Sequence, residues 1–184
     1  MQIYISLLRG VNMAGHNMIK MTSLAEMFRY LGFTDTETFI QSGNVVFSDP
    51  LNLTQTELAE KIEKSILDKF GLNVPAMIRS PEDLEKIISG NPFAEEDNFN
   101  QERLAVIFLH DRPSQAQIDK VKDISYPPDK FKIIGTEVYI YCPNGFGKSK
   151  IYTGFFENKM KIAGTGRNWN TVNALLKIAE KRRK

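Results

Sequence analysis

One order of short alternating strands and amphipathic helices is written into this chain twice, and that repetition limits the folds open to it. Gln2–Leu8 alternates Ile3, Ile5 and Leu7 against Tyr4, Ser6 and Leu8, which predicts a strand with contacts on both faces. Ser23 and Glu26 have capping-box spacing ahead of Leu24, Met27, Phe28 and Leu31, predicting a helix that ends near Gly32. Residues 38–41 and 45–47 flank Ser42-Gly43-Asn44, a hairpin signal. A second capping box, Thr54 with Glu57, opens a helix carrying Leu58, Ile62 and Ile66 and closed by Gly71; residues 72–79 return as a strand. The order is βαββαβ.

It then begins again. Pro81 starts a short helix, and residues 90–102, polar and broken by Asn91-Pro92, read as a connector. Leu104–Leu109 is a strand, and Pro113-Ser114 with Gln117 caps a helix bearing Ile118, Val121 and Ile124. Lys130–Ile134 and Glu137–Tyr141 make a hairpin around Gly135-Thr136. A helix within residues 150–159, a short strand near residues 162–165 and an added terminal helix over residues 169–183 complete the pattern. Aligning the hairpins sets Gly43 on Gly135, Val46 on Val138 and Phe39 on Phe131. The expected fold is α+β, a tandem duplication of two ferredoxin-like βαββαβ units with an added C-terminal helix. Its expected parts are a first subdomain over residues 1–80, a helical connector over 81–103 and a second subdomain over 104–184.

The halves differ in one connection. The second crosses from strand to helix through residues 110–113, whereas the first uses 14 residues from Arg9 to Thr22. Compact folds rarely carry such an excess without a use, so this is a binding loop or a rigid surface Ω-loop.

With 42% hydrophobic and 25% charged residues, the composition is that of a soluble globular chain. The longest apolar run, Leu104–Leu109, is far too short to span a membrane, and the N-terminus reads as a strand rather than a signal peptide. A single cysteine, Cys142, excludes an intrachain disulfide framework and fits a reducing compartment, so a cytoplasmic setting is expected. The net charge of +2 conceals an asymmetry. Residues 143–184 hold 10 Lys and Arg against 2 acidic residues, while residues 1–142 hold 14 against 20. An anionic partner is favoured at the basic end, although Lys181-Arg-Arg-Lys184 by itself is an ordinary solvated run.

Gly164-Thr-Gly-Arg-Asn-Trp-Asn-Thr-Val-Asn-Ala-Leu-Leu176 holds the only Trp, a Gly-x-Gly read as a turn, an Arg and three amides where a helix should begin. Val172, Leu175, Leu176 and Ala179 form a helical stripe after Thr171. Asn168 or Asn170 would cap that helix, placing Arg167 beside an N-terminus that favours an anion. Trp169 lies on the core stripe, which favours a buried anchor over a base-stacking platform.

Three motifs, Leu7-Leu-Arg-Gly-Val-Asn-Met-Ala-Gly-His-Asn-Met-Ile-Lys-Met21, Ile40-Gln-Ser-Gly-Asn-Val-Val-Phe47 and Gly164–Thr171, together resemble the domain of unknown function 1697 family. Asn91-Pro92-Phe93 and Gly147-Lys148-Ser149 extend the resemblance along the chain. It implies the same two-fold ferredoxin-like architecture and brings no assigned activity.

Gly145-Phe-Gly-Lys-Ser149 lacks the first Gly of a phosphate-binding P-loop, since Cys142 stands there. It is either an isolated phosphate site or a flexible turn with Ser149 as cap. Arg9, Asn12, Asn17 and Lys20 offer donors along the long loop; Gln41, Ser42 and Asn44 do so at the hairpin, where a tight turn uses Ser and Asn itself. His16, His110 and Cys142 are too isolated to suggest a metal site, and no cofactor is implied. The expected ligand-binding set is Arg9, Asn12, Lys20, Gln41, Lys148, Ser149, Arg167, Asn168, Asn170 and Thr171, with Arg9, Lys148 and Arg167 converging on one anion cleft between the two subdomains. The expected function is binding of a phosphate-bearing ligand, a nucleotide or nucleic acid. The alternative is a metal-independent enzyme acting on a small anionic metabolite, and a scaffold or regulatory protein without a ligand is a third reading.

Overall fold

A computed structural model describes residues 1–13 and 15–183; Ala14 in the long loop and Lys184 of the basic run lie outside the described residues. The chain divides into two compact units, Met1–Glu85 with Ala174–Lys184, and Lys86–Asn173.

The first unit contains β1 (Gln2–Leu8), α1 (Met21–Tyr30), β2 (Thr34–Phe39), β3 (Asn44–Asp49), α2 (Gln55–Phe70) and β4 (Ala76–Arg79). Its antiparallel sheet runs β2-β3-β1-β4. Strand alternation sends Tyr4, Leu8, Val45, Phe47 and Ile78 into one core with Leu24 and Phe28 of α1 and Leu58, Ile62 and Ile66 of α2. Phe28 meets Phe47 edge-on at 5.2 Å. Each large side chain so buried contributes about 1.5–3 kcal/mol.

Local chemistry sets most of the boundaries. α2 opens on the expected capping box, with Thr54 N donating to Glu57 Oε2 at 2.8 Å, and closes on Gly71 at φ +68°. α1 departs from expectation. It starts at Met21 behind Lys20, which makes no side-chain cap bond, so Ser23 and Glu26 fall inside the helix and form no capping box. The cause lies upstream: Ile19 N donates to Asn12 Oδ1 at 2.8 Å, and this fixes the approach to the first turn. β4 begins at Ala76 rather than at residue 72, because Pro75 has no N–H for a ladder and contributes only its carbonyl, to Arg9 N at 2.9 Å.

α3 (Pro81–Ser89) runs from the first unit into the second, which continues with a 3-10 turn (Gln101–Arg103), β5 (Leu104–Leu109), α4 (Gln115–Asp119), β6 (Lys130–Ile134), β7 (Glu137–Tyr141), a 3-10 turn (Phe146–Lys148), α5 (Thr153–Met160) and β8 (Gly164–Asn168). α6 (Trp169–Glu180) starts in this unit and ends within the residues of the first. The second antiparallel sheet runs β6-β7-β5-β8. Ile107, Leu109, Val138 and Ile140 pack with Val121, Phe156 and Met160. Ser114 and Gln117 form the expected capping box, but α4 is only five residues long. Among the described residues no helix is long and apolar enough to cross a membrane.

The two sheets share a strand order and a register. Ile5 pairs with Arg79 across β1 and β4, and Val106 pairs with Arg167 across β5 and β8. The hairpins correct the expected alignment. Leu8 N donates to Gly43 O and Leu109 N to Thr136 O, both at 2.9 Å, so Gly43 corresponds to Thr136 and Val46 to Tyr139. The turn glycines mislead because the loop between β2 and β3 has two more residues than that between β6 and β7.

Candidate functional site

The long loop of the first unit is braced by its own amides. Asn12 Nδ2 donates to Ile19 O and to Gln41 O, both at 2.9 Å, while its Oδ1 accepts from Ile19 N. Asn17 Nδ2 donates to Gly10 O at 3.2 Å. The loop thus closes on itself and is tied to the β2–β3 turn, in the manner of a packed Ω-loop. Gly43 allows this close approach: its φ is +70°, and a Cβ there would lie 2.8 Å from Leu8 Cβ and 3.0 Å from Val11 Cβ. Arg9 is half-buried, and Lys20 and Gln41 are exposed. The Asn12 amide and the Gln41 carbonyl serve the loop itself. Asn44 Nδ2 donates to Phe39 O and Ser42 Oγ, the turn chemistry expected of that pair.

In the second unit the organising stretch folds differently from its sequence reading. Gly164 and Gly166 make no turn; they lie in β8, paired with Leu109 and Ile107. Their lack of side chains gives room to neighbours, since a Cβ would meet Ile107 Cγ2 at 2.9 Å from Gly164 and Thr153 Oγ1 at 2.9 Å from Gly166. Arg167 is therefore a strand residue rather than a solvent-facing group before a helix. It is 8% exposed, and its Nη1 donates to Thr165 Oγ1 at 2.6 Å and Gly166 O at 2.8 Å. Burial pulls its pKa down to about 10, which leaves it charged at neutral pH. Arg79, at the matching register, likewise donates from Nη1 to Ile78 O at 2.8 Å. Asn168 caps α6, its Oδ1 accepting from Thr171 N at 2.8 Å, and Thr171 and Trp169 are buried, the latter as the anchor reading expected. Asn170 is exposed on the first turn.

The Gly145 segment lies elsewhere in this unit, beside a groove of about 350 Å³. Ser125, Tyr126, the cis Pro127-Pro128 pair, Asp129, Asn144, Gly145, Lys148 and Lys150 line it. Gly145 has φ +90°, and a Cβ there would sit 2.7 Å from Arg103 Nη1, so the guanidinium lies against the turn. Lys150 Nζ stands 5.4 Å from the centre of the Tyr126 ring, within cation–π range. Ser149 is spent on structure: Oγ donates to Ile151 O and accepts from Ile151 N and the Cys142 thiol. Burial foremost, opposed by the Ser149 bond and reinforced by Asp129, holds the Cys142 thiol above its usual range. A protonated buried thiol is a poor nucleophile.

Of the expected residues, only Lys148 lines this groove; Arg167, Asn168, Asn170 and Thr171 do not. Arg103, Tyr126, Asp129 and Lys150 were not singled out by the sequence. Lys150 stood two residues from Lys148, but Arg103 and Tyr126 reach the site from distant positions that no local motif marks. Among the described residues no cluster of three or more His, Cys, Asp or Glu could hold a metal ion.

Comparison with known proteins gives a family and a fold. Residues 1–139 match the family model described as "Protein of unknown function (DUF1697)", a match that stops within β7, before Gly145 and β8. No curated protein matches the chain. Among solved structures it is similar to the conserved bacterial protein SP0830 from Streptococcus pneumoniae, at 20% identity and a TM-score of 0.75, over 97% of this chain and 98% of that one.

Proposed function

The chain belongs to the DUF1697 family, and from that premise we propose that it binds a small phosphate-bearing ligand in the Gly145 groove of the second unit. One observation carries the reading. Arg103, Lys148 and Lys150 gather around the Gly145 turn, and among the described residues none of the three makes an ion pair with a carboxylate. Asp129 brings a carboxylate to the groove lining, but the three cations outnumber it, and an anion between them relieves their mutual repulsion. Gly145 lets the Arg103 guanidinium lie against the turn, and Tyr126 and the two prolines give the opposite wall an apolar surface fit for a sugar or base. Asp129, on the same wall, suits a ligand hydroxyl.

We infer also that the chain is a tandem duplication of ferredoxin-like units, with residues 81–103 as the connector. The shared strand order and the matched registers of Arg79 and Arg167 support this.

Calorimetric titration with mononucleotides, sugar phosphates and short single-stranded RNA at two salt concentrations tests the binding reading. A mononucleotide or sugar phosphate should bind, and Lys148→Ala or Lys150→Ala should each weaken it about tenfold, the loss of one charged hydrogen bond. RNA binding that falls steeply with salt would make the partner a nucleic acid. Binding unchanged in the Lys148→Ala/Lys150→Ala double variant would remove the groove from consideration.

A further inference from the structure

We propose that the groove between α1 and α2 of the first unit docks an acidic amphipathic helix from a partner protein. The groove has a volume of about 560 Å³ and two unlike walls. Met27 and Tyr30 of α1 and its C-cap Leu31, spaced at i, i+3 and i+4, form an apolar wall. Tyr30 of this wall is 90% exposed. The α2 wall carries Lys61, Lys64 and Lys69 with Ser65 and Asp68 among them, the lysines spanning about 12 Å of the helix at 1.5 Å per residue.

Among the described residues none of these lysines makes an ion pair. Lys61 and Lys69 instead lie 5.9 Å and 5.7 Å over the rings of Phe33 and Phe70. The groove keeps an excess of positive charge, three lysines against the single carboxylate of Asp68 in its lining. Asp68 is beyond ion-pair distance, and Glu63 is turned to the sheet edge, where it accepts from Ala76 N at 2.8 Å.

An apolar wall facing a wall with an excess of cations is the negative image of a helix with leucines or aromatics on one face and carboxylates on its flank. Two turns of such a helix match the lysine row in length. A nucleic acid would satisfy the lysines and leave the apolar wall without a partner, so the protein segment is the better fit.

The probe is a synthetic amphipathic peptide of about fifteen residues, with leucines at i, i+4 and i+7 flanked by glutamates. Its control carries lysine for every glutamate. We expect the acidic peptide to bind with a Kd below about 100 μM, the basic control to fail, and Lys61→Glu/Lys64→Glu/Lys69→Glu to weaken binding at least about tenfold. Tyr30→Ala, at a position too exposed to endanger the fold, should weaken it about threefold. Absence of binding at about 1 mM, or equal binding to the triple variant, would overturn the proposal. It would also fall if anionic phosphatidylserine vesicles, but not the peptide, bound in a lysine-dependent manner. Self-association abolished by the triple variant, again without peptide binding, would make a second copy the occupant instead.

Discussion

Replacing Gly43 by alanine isolates the contact on which the braced loop depends. Two costs add at that position. An L-residue held at φ +70° costs about 1 kcal/mol relative to glycine. The new methyl would also lie 2.8 Å from Leu8 Cβ and 3.0 Å from Val11 Cβ, both on buried side chains that cannot swing clear. Overpacking of this kind costs about 1–3 kcal/mol, so the total loss should be about 2–4 kcal/mol. Gly71→Ala in the same unit provides the control. Its φ is +68° and nothing lies within 4 Å of the added Cβ, so only the backbone cost of about 1 kcal/mol remains. Urea unfolding followed by far-ultraviolet circular dichroism measures both against the unsubstituted protein. If Gly43→Ala costs no more than Gly71→Ala, the close approach of the β2–β3 turn to Leu8 and Val11 is not what that glycine serves.

Asn12→Ala removes the amide that links the loop to Ile19 and Gln41, and should cost about 2 kcal/mol and speed proteolysis within residues 13–18, read by limited digestion. Asn168→Ala deletes the α6 cap and should lower stability by about 1 kcal/mol in the same urea assay, whereas Asn168→Asp should retain most of it. The Cys142 thiol, raised chiefly by burial, should react with iodoacetamide only above the ordinary thiol range of about 8.5 in the folded protein. Because the unfolded thiol loses its proton first, stability should decline as pH rises above that value, and Cys142→Ser should flatten this part of the pH profile.

The fold was legible where local chemistry agrees with tertiary packing. Thr54 with Glu57, Ser114 with Gln117 and the hairpin at Gly135-Thr136 each name their own element, and each forms as read. Ser23 and Glu26 have the same spacing and form no cap, because a distant side chain, that of Asn12, determines where α1 starts. Gly164-Thr-Gly-Arg167 misleads for a related reason. Glycine marks a turn when φ demands it and a strand when a neighbour crowds it, and sequence alone does not separate the two. The groove was half visible. Gly145 and Lys148 advertise it, while Arg103 and Tyr126 arrive from other parts of the chain, a juxtaposition that only the folded sheet creates.

Residues 174–183 belong to the unit that opens the sequence. Arg182 pairs with Glu37 on β2 at 2.9 Å, and Arg183 pairs with Glu82 and Glu85 on α3. During synthesis the ribosome therefore delivers most of the first unit early but releases these partners only after the whole second unit has emerged. Until then Glu37, Glu82 and Glu85 wait without their arginines, and the second unit can finish folding while the first is still incomplete.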